Sequence, residues 1–125
     1  MFRSQKRLPD AEFAVMQAIW DCTPPVTRAE LEKQLEEYHP MATTTLLTLL
    51  TRLAERGYIS VEKHGRGNCY TPIVARRAYL SSQGSQFFRS LCGGNVSLFA
   101  NALCDSGLTK DELAQLRQLL EEGDL

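Results

Sequence analysis

The first third of the chain follows the apolar periodicity of an amphipathic α-helix. Between residues 10 and 21, large apolar side chains recur at spacings of three and four residues, namely Phe13, Met16, Ile19 and Trp20. Asp10 and Glu12 fall in the first turn, where the helix dipole favours acidic side chains. The prolines at 24 and 25 end the pattern. This stretch is therefore predicted to be the first helix.

A second helix is predicted from a capping box. Thr27 is followed three residues later by Glu30, so hydroxyl and carboxylate can satisfy the unpaired backbone N–H groups of the first turn. Leu31 and Leu35 then lie on one face. We expect this helix to run to about Tyr38, because Pro40 interrupts it.

The third predicted helix has two chemically distinct faces. Residues 42–56 read ATTTLLTLLTRLAER, and Gly57 follows as a terminator. The core stripe comprises Leu46, Leu49, Leu50 and Leu53. β-branching and a hydroxyl both lower helix propensity, so a cluster of threonines is unfavourable in a buried helix. The threonines are therefore expected to cap the helix or to face a ligand.

After Gly57 the spacing of apolar residues changes to every second residue. Residues 58–63 alternate, 65–68 have turn composition, and 69–73 can return as a second strand, which predicts a hairpin with a basic tip. Helical spacing resumes from 76 to 91, a short helix follows, and Thr109 with Glu112 forms a capping box for the last helix.

The order of three helices and a two-stranded hairpin is typical of the winged helix-turn-helix. The expected fold class is α+β, mostly α, with a DNA-binding domain over residues 1–75 and a helical dimerisation region over 76–125. Because that region is too short to bury its own apolar residues, we expect it to pair with a second copy. The residues expected to form this homodimer are Leu91, Leu98, Phe99, Leu103, Leu113, Leu116 and Leu120.

Composition and charge refine this picture. The chain has 125 residues, of which 43% are hydrophobic, and a net charge of −1. Residues 38–82 carry six basic and two acidic side chains, whereas residues 83–125 carry three basic and six acidic ones. A locally basic middle with an acidic tail indicates a polyanion-binding module joined to a separate arm.

The residues expected to contact double-stranded DNA lie on the third helix and the hairpin. Short side chains near a helix N-terminus can form hydrogen bonds with base edges or contact thymine methyl groups. Thr44, Thr45 and Thr48 are suited to this role. Thr43 could bind a phosphate, and Arg52 could bind a phosphate or form a structural ion pair. At the hairpin tip Lys63, His64 and Arg66 suit phosphate contacts without base specificity. Further candidate phosphate contacts are Arg3, Lys6, Arg7 and Arg28.

Other classes of function receive little support. The sequence has no glycine-rich phosphate loop, HExxH motif or nucleophile elbow, so an enzyme is not predicted. The four cysteines form no close pair, so no metal or other cofactor is expected, and the thiols are predicted to be reduced and mostly buried. No apolar run is long enough for membrane insertion, and the basic N-terminus resembles no secretion signal, so we expect a cytoplasmic protein. A winged-helix module that binds protein and a thiol-based sensor remain the alternatives.

Several blocks of the sequence resemble one family in order and spacing. Residues 11–20, AEFAVMQAIW, resemble the opening block of the penicillinase repressor (BlaI/MecI/CopY) family, and residues 45–53, TLLTLLTRL, resemble its recognition helix. Gly57-Tyr58-Ile59 continues the match. Two later blocks, GGNVSL at 93–98 and LTKDEL at 108–113, resemble its C-terminal part.

This resemblance implies a homodimeric repressor on a palindromic operator, with helices after about residue 76 exchanged across the dimer. It also implies, for members with a membrane-bound sensor protease, relief of repression by cleavage at the bond that corresponds to Asn101–Ala102. Ala102 departs from the family's Phe at the cleavage bond, and Leu47 departs from the family's usual Arg. The C-terminal cysteine pair of the copper-responsive branch is absent, which disfavours copper sensing.

Overall fold

The computed structural model describes residues 7–123, which divide into two compact units with a boundary between Gln83 and Gly84. The helices and strands of the chain up to that boundary are α1 (Asp10–Asp21), β1 (Val26–Thr27), α2 (Arg28–Leu35), α3 (Thr43–Glu55), β2 (Ile59–His64), β3 (Gly67–Pro72) and the start of α4 (Arg76–Gln86). The second unit contains a π-helical turn (Phe87–Leu91), α5 (Val96–Asp105) and α6 (Lys110–Glu122).

The core of the first unit is built by the helices that the apolar periodicity predicts. All four predicted core leucines of α3 are buried, and they belong to one cluster with Val15, Met16 and Ile19 of α1. Each large side chain removed from water contributes roughly 1.5–3 kcal/mol. This cluster therefore fixes α3 by one face and leaves the other face exposed.

The sheet has one strand more than the predicted hairpin. Strands β2 and β3 pair antiparallel from Ile59↔Pro72 to His64↔Gly67, around a two-residue turn at Gly65 and Arg66. Gly65 adopts φ +60°, a left-handed conformation that glycine reaches without strain. On the other edge of β3, the short strand β1 pairs with residues 69 and 70, which gives the order β1-β3-β2. The hairpin and the third strand complete a winged-helix sheet.

The capping box at the start of α2 forms as predicted. The Thr27 N–H donates to the Glu30 carboxylate at 3.1 Å, and the Glu30 N–H donates to the Thr27 hydroxyl at 3.2 Å. The helix ends at Leu35, three residues before the predicted Tyr38. The Tyr38 hydroxyl donates to the Ala14 carbonyl, so this residue packs on α1 beyond the end of α2.

The start of α4 is anchored on α1. The Trp20 Nε1–H donates to the Val74 carbonyl at 2.9 Å, and Arg76 Nη2 lies 2.6 Å from the Asp21 carboxylate with its guanidinium over the Trp20 ring. Tyr79 is buried, and its hydroxyl accepts from the Leu8 N–H at 2.8 Å. Tyr79 belongs to the core of the first unit, and this compact unit extends to Gln83.

The second unit is helical but has little interior of its own. The helix predicted over residues 76–91 crosses the boundary between the units and changes from α- to π-helical geometry at Phe87. Helix α6 begins at the predicted Thr109 capping box. Cys92, which is 6% exposed, is the second unit's one buried apolar side chain among the described residues. No helix within residues 7–123 is long and apolar enough to cross a bilayer.

Candidate nucleic-acid interface

The exposed face of α3 carries the threonines that the sequence assigns to DNA. Thr44, Thr45, Thr48 and Arg52 are all exposed, opposite the buried leucines. Thr43 differs, because it is half-buried and its hydroxyl donates to the Glu32 carboxylate at 2.5 Å. Its single hydroxyl proton is therefore used within the protein, beside a negative charge that disfavours a phosphate.

The hydroxyl of Thr48 is oriented by the helix itself. It donates to the Thr44 carbonyl at 3.0 Å, and the hydroxyl of Thr51 makes the same bond to the Leu47 carbonyl. A threonine held this way keeps its acceptor lone pairs and its methyl group for a ligand. Thr48 is therefore suited to accept a hydrogen bond from a base or to contact an apolar group.

A cleft of about 470 Å³ lies between the hairpin, α3 and the N-terminus of α2. Arg28 lines it from α2, Leu47 from α3, and His64 and Arg66 from the hairpin. None of the described residues that line it carries a carboxylate. The fold thus brings three basic side chains from distant parts of the sequence to the edge of the exposed α3 face.

Of the predicted DNA-contacting cations within the described residues, three carry no counter-ion, whereas Arg7, Arg28 and His64 each lie beside a carboxylate. Within residues 7–123, Arg52, Lys63 and Arg66 form no ion pair, so Arg52 fits the phosphate alternative rather than the structural one. Arg28 Nε lies 3.6 Å from the Glu32 carboxylate, and Arg7 pairs with Asp10 at the surface. Arg3 and Lys6 lie outside the described residues.

A second cleft, of about 360 Å³, lies between α5 and α6 of the second unit. Its lining includes the predicted dimerisation residues Leu103, Leu113, Leu116 and Leu120. Leu91 and Leu98 do not line this cleft and are 76% and 53% exposed. The ring of Phe99 instead packs against Phe87 and Phe88, with centroids 5.9 and 5.4 Å apart.

The bond between Asn101 and Ala102 lies inside helix α5. Asn101 is exposed and Ala102 is half-buried. Because both residues are hydrogen-bonded in helical conformation, a protease that binds extended backbone would have to unwind this part of α5 first.

The cysteines are spread over both units as free thiols. Cys69 and Cys92 are buried, Cys22 is half-buried and Cys104 is exposed. Burial raises the pKa of the Cys22 thiol, and the nearby carboxylates of Glu30 and Asp21 raise it further. Across residues 7–123, no group of three or more His, Cys, Asp or Glu side chains is arranged to hold a metal ion.

Three helices, a three-stranded sheet with a basic hairpin, and an exposed polar face on the third helix define a winged-helix protein. The comparison with family models then identifies the family. The chain belongs to the penicillinase repressor family, whose model matches residues 8–122. This is a family of transcriptional repressors and not of enzymes.

Two sequence relatives agree with this assignment. The penicillinase repressor of Bacillus licheniformis is 31% identical over 121 residues, which cover 94% of each chain. The transcriptional regulator BlaI of Mycobacterium tuberculosis is 34% identical over 70 residues, covering 56% of this chain and 51% of that protein. A solution structure of monomeric Bacillus licheniformis BlaI in complex with the blaP half-operator is 31% identical with a TM-score of 0.49, covering 59% of this chain and 89% of that one.

Proposed function

We propose that this repressor acts in the cytoplasm as a homodimer that binds a palindromic operator. Helix α3 enters the major groove and presents Thr44, Thr45 and Thr48 to base edges. Arg52 and the hairpin residues Lys63 and Arg66 bind the phosphate backbone. The observation that carries this proposal is the cleft, in which cations from α2 and the hairpin lie together at the edge of the exposed face of α3.

The electrostatic argument is specific to this surface. A cation without a counter-ion in the protein contributes most to the affinity when it neutralises a phosphate and releases counter-ions from DNA. Arg52, Lys63 and Arg66 form no ion pair with any residue from 7 to 123. The Thr43 hydroxyl is bound to the Glu32 carboxylate, so it is not assigned a base contact. We therefore assign base recognition to the three exposed threonines.

The homodimer is supported by the second unit. The predicted dimerisation side chains on α5 and α6 are half-buried or exposed, and four of them surround one apolar cleft. A leucine moved from water into an interface contributes roughly 1.5–3 kcal/mol, so a few such residues suffice to hold two copies together. Two copies present two α3 helices, which matches a palindrome.

The proposal includes how repression ends: a membrane-bound sensor protease cleaves the repressor. A cut after Asn101 would separate α6 from the chain and divide α5, so both walls of the apolar cleft would be lost. The genomic neighbourhood tests it: an adjacent gene for a membrane metalloprotease supports relief by cleavage, and its absence argues for another inducer.

The DNA-binding proposal is tested by titration with fluorescent duplexes. The full-length protein is titrated into a duplex from the region upstream of its own gene and into a scrambled duplex of equal length, at several salt concentrations. We expect the upstream duplex to bind at least about 10³-fold more tightly. Equal, weak binding to both duplexes would instead support the protein-interaction module.

A further inference from the structure

Leu47 is exceptional among the leucines of α3. The other four are at most 6% exposed, whereas Leu47 is 40% exposed. It lies on the face that carries the threonines, directly before Thr48, and its carbonyl accepts the hydroxyl of Thr51. Burial in this protein's own core therefore does not explain a large apolar side chain at this position.

The position of Leu47 beside basic side chains indicates which group of a bound DNA its side chain would contact. Leu47 lines the same cleft as Arg28 and Arg66, the cations that would bind a phosphate backbone. In the major groove, the C5-methyl of thymine is the base-edge group that lies nearest to the backbone of its own strand, and O4 lies further in. A side chain beside a bound backbone therefore reaches this methyl before any polar group of the base.

We propose that Leu47 is a specificity-determining residue that selects thymine in each operator half-site by packing against its 5-methyl group. This inference rests on the proposed binding of α3 in the major groove. Leucine has no donor or acceptor, so a purine, which presents the N7 acceptor nearest its backbone, would lose a hydrogen bond to water without replacement, and cytosine presents only a hydrogen at C5. Thymine presents a methyl group there and gains from the contact.

The expected size of the effect follows from the methyl group itself. Burying one such group contributes about 0.8 kcal/mol, which corresponds to roughly fourfold in affinity. Deoxyuridine lacks only the methyl and keeps the hydrogen-bonding pattern of thymidine. Replacing the selected thymine by uracil is therefore expected to weaken binding by about fourfold for each half-site.

The experiment begins with selection of duplexes from a random double-stranded DNA library by the full-length wild-type protein. Each thymine of the selected operator is then replaced singly by deoxyuridine, and binding is measured for the wild type, Leu47→Ala and the control Ile73→Ala. Ile73 is an aliphatic side chain 63% exposed that lies outside the cleft and α3. Thermal unfolding of each variant checks that it is folded.

We expect one thymine per half-site at which uracil weakens the wild type and Ile73→Ala by about fourfold but leaves Leu47→Ala unchanged. If every uracil substitution affects Leu47→Ala and the wild type equally, or if no thymine is selected, the inference is overturned while sequence-specific binding stands. If the library yields no preferred sequence, the proposed function itself is overturned, and this inference with it.

Discussion

The Glu12 carboxylate lies 3.0 Å from the Arg56 guanidinium, although 44 residues separate them in sequence. The Glu12 side chain is only 3% exposed, while that of Arg56 is 49% exposed. The ion pair joins the first turn of α1 to the residue that caps the end of α3. It therefore helps to hold the proposed reading helix in a fixed orientation.

Removing the cation of this pair should destabilise the first unit. In Arg56→Met the Glu12 carboxylate stays buried without its counter-charge, and we expect the free energy of unfolding to fall by about 2 kcal/mol, since Arg56 is half exposed. Adding Glu12→Gln should restore part of the loss. Chemical denaturation measures both variants. Arg7→Met, which breaks a largely exposed surface pair with Asp10, is the control and should change stability by less than about 0.5 kcal/mol.

The threonines of α3 should affect sequence-specific binding selectively. Thr45→Ala and Thr48→Ala are each expected to weaken operator binding by about 1–3 kcal/mol while binding to random DNA stays nearly constant. Thr51→Ala removes the same kind of hydroxyl-to-carbonyl bond one turn nearer the C-terminus and controls for helix stability. Equal losses on operator and random DNA would contradict the assignment of base contacts to α3.

The hairpin cations should act on all sequences alike. Lys63→Ala and Arg66→Ala are expected to weaken operator and random duplexes by similar factors and to reduce the salt dependence by roughly one counter-ion each. Lys33→Ala removes an exposed cation of α2 that lies beside Glu30 and Glu37 and should leave the salt slope unchanged. A loss confined to the operator would mean that the hairpin reads bases.

Truncation after Asn101 should separate dimerisation from folding. The fragment retains the whole first unit and lacks α6, so we expect a folded monomer with affinity near that for random DNA. Sedimentation and operator titration measure the two properties, with the full-length chain as reference. A fragment that remains dimeric and binds the operator normally would show that α6 has another role.

The thiols should differ in reactivity in a way that bears on the thiol-sensor alternative. Because burial raises the pKa of Cys22, its thiolate fraction at pH 8 is smaller than that of an ordinary cysteine. Cys104 is exposed and should be alkylated first, followed slowly by Cys22. Timed alkylation with peptide mass mapping gives the order. Rapid modification of Cys22, with loss of DNA binding, would favour a sensor.

The limits of the sequence prediction have physical causes. Periodicity located α1 and α3 because each buries a regular stripe on the core. It missed β1, which has only two residues and exists through its pairing with β3. It attributed Glu12 to the helix dipole, since nothing local indicates that Arg56 lies beside it. Contacts between elements distant in sequence carry no periodic signal.

The same limit applies to the candidate interface. The threonine face of α3 follows from helical geometry, and the hairpin cations follow from turn composition. The cleft that Leu47 and Arg28 share with the hairpin cannot be predicted in this way, because it depends on how α2, α3 and the hairpin pack together. The hydrogen bond that engages Thr43 likewise depends on Glu32, eleven residues away.

The anchoring of α4 on α1 also gives the protein an intrinsic optical probe. Trp20 is the only tryptophan in the chain, and its indole N–H is bound to the Val74 carbonyl beneath the Arg76 guanidinium. Release of this anchor would hydrate the indole and shift its emission to longer wavelength. Because the second unit has no tryptophan, the tryptophan fluorescence of the unlabelled protein reports on the first unit alone, in the monomer and in the proposed homodimer.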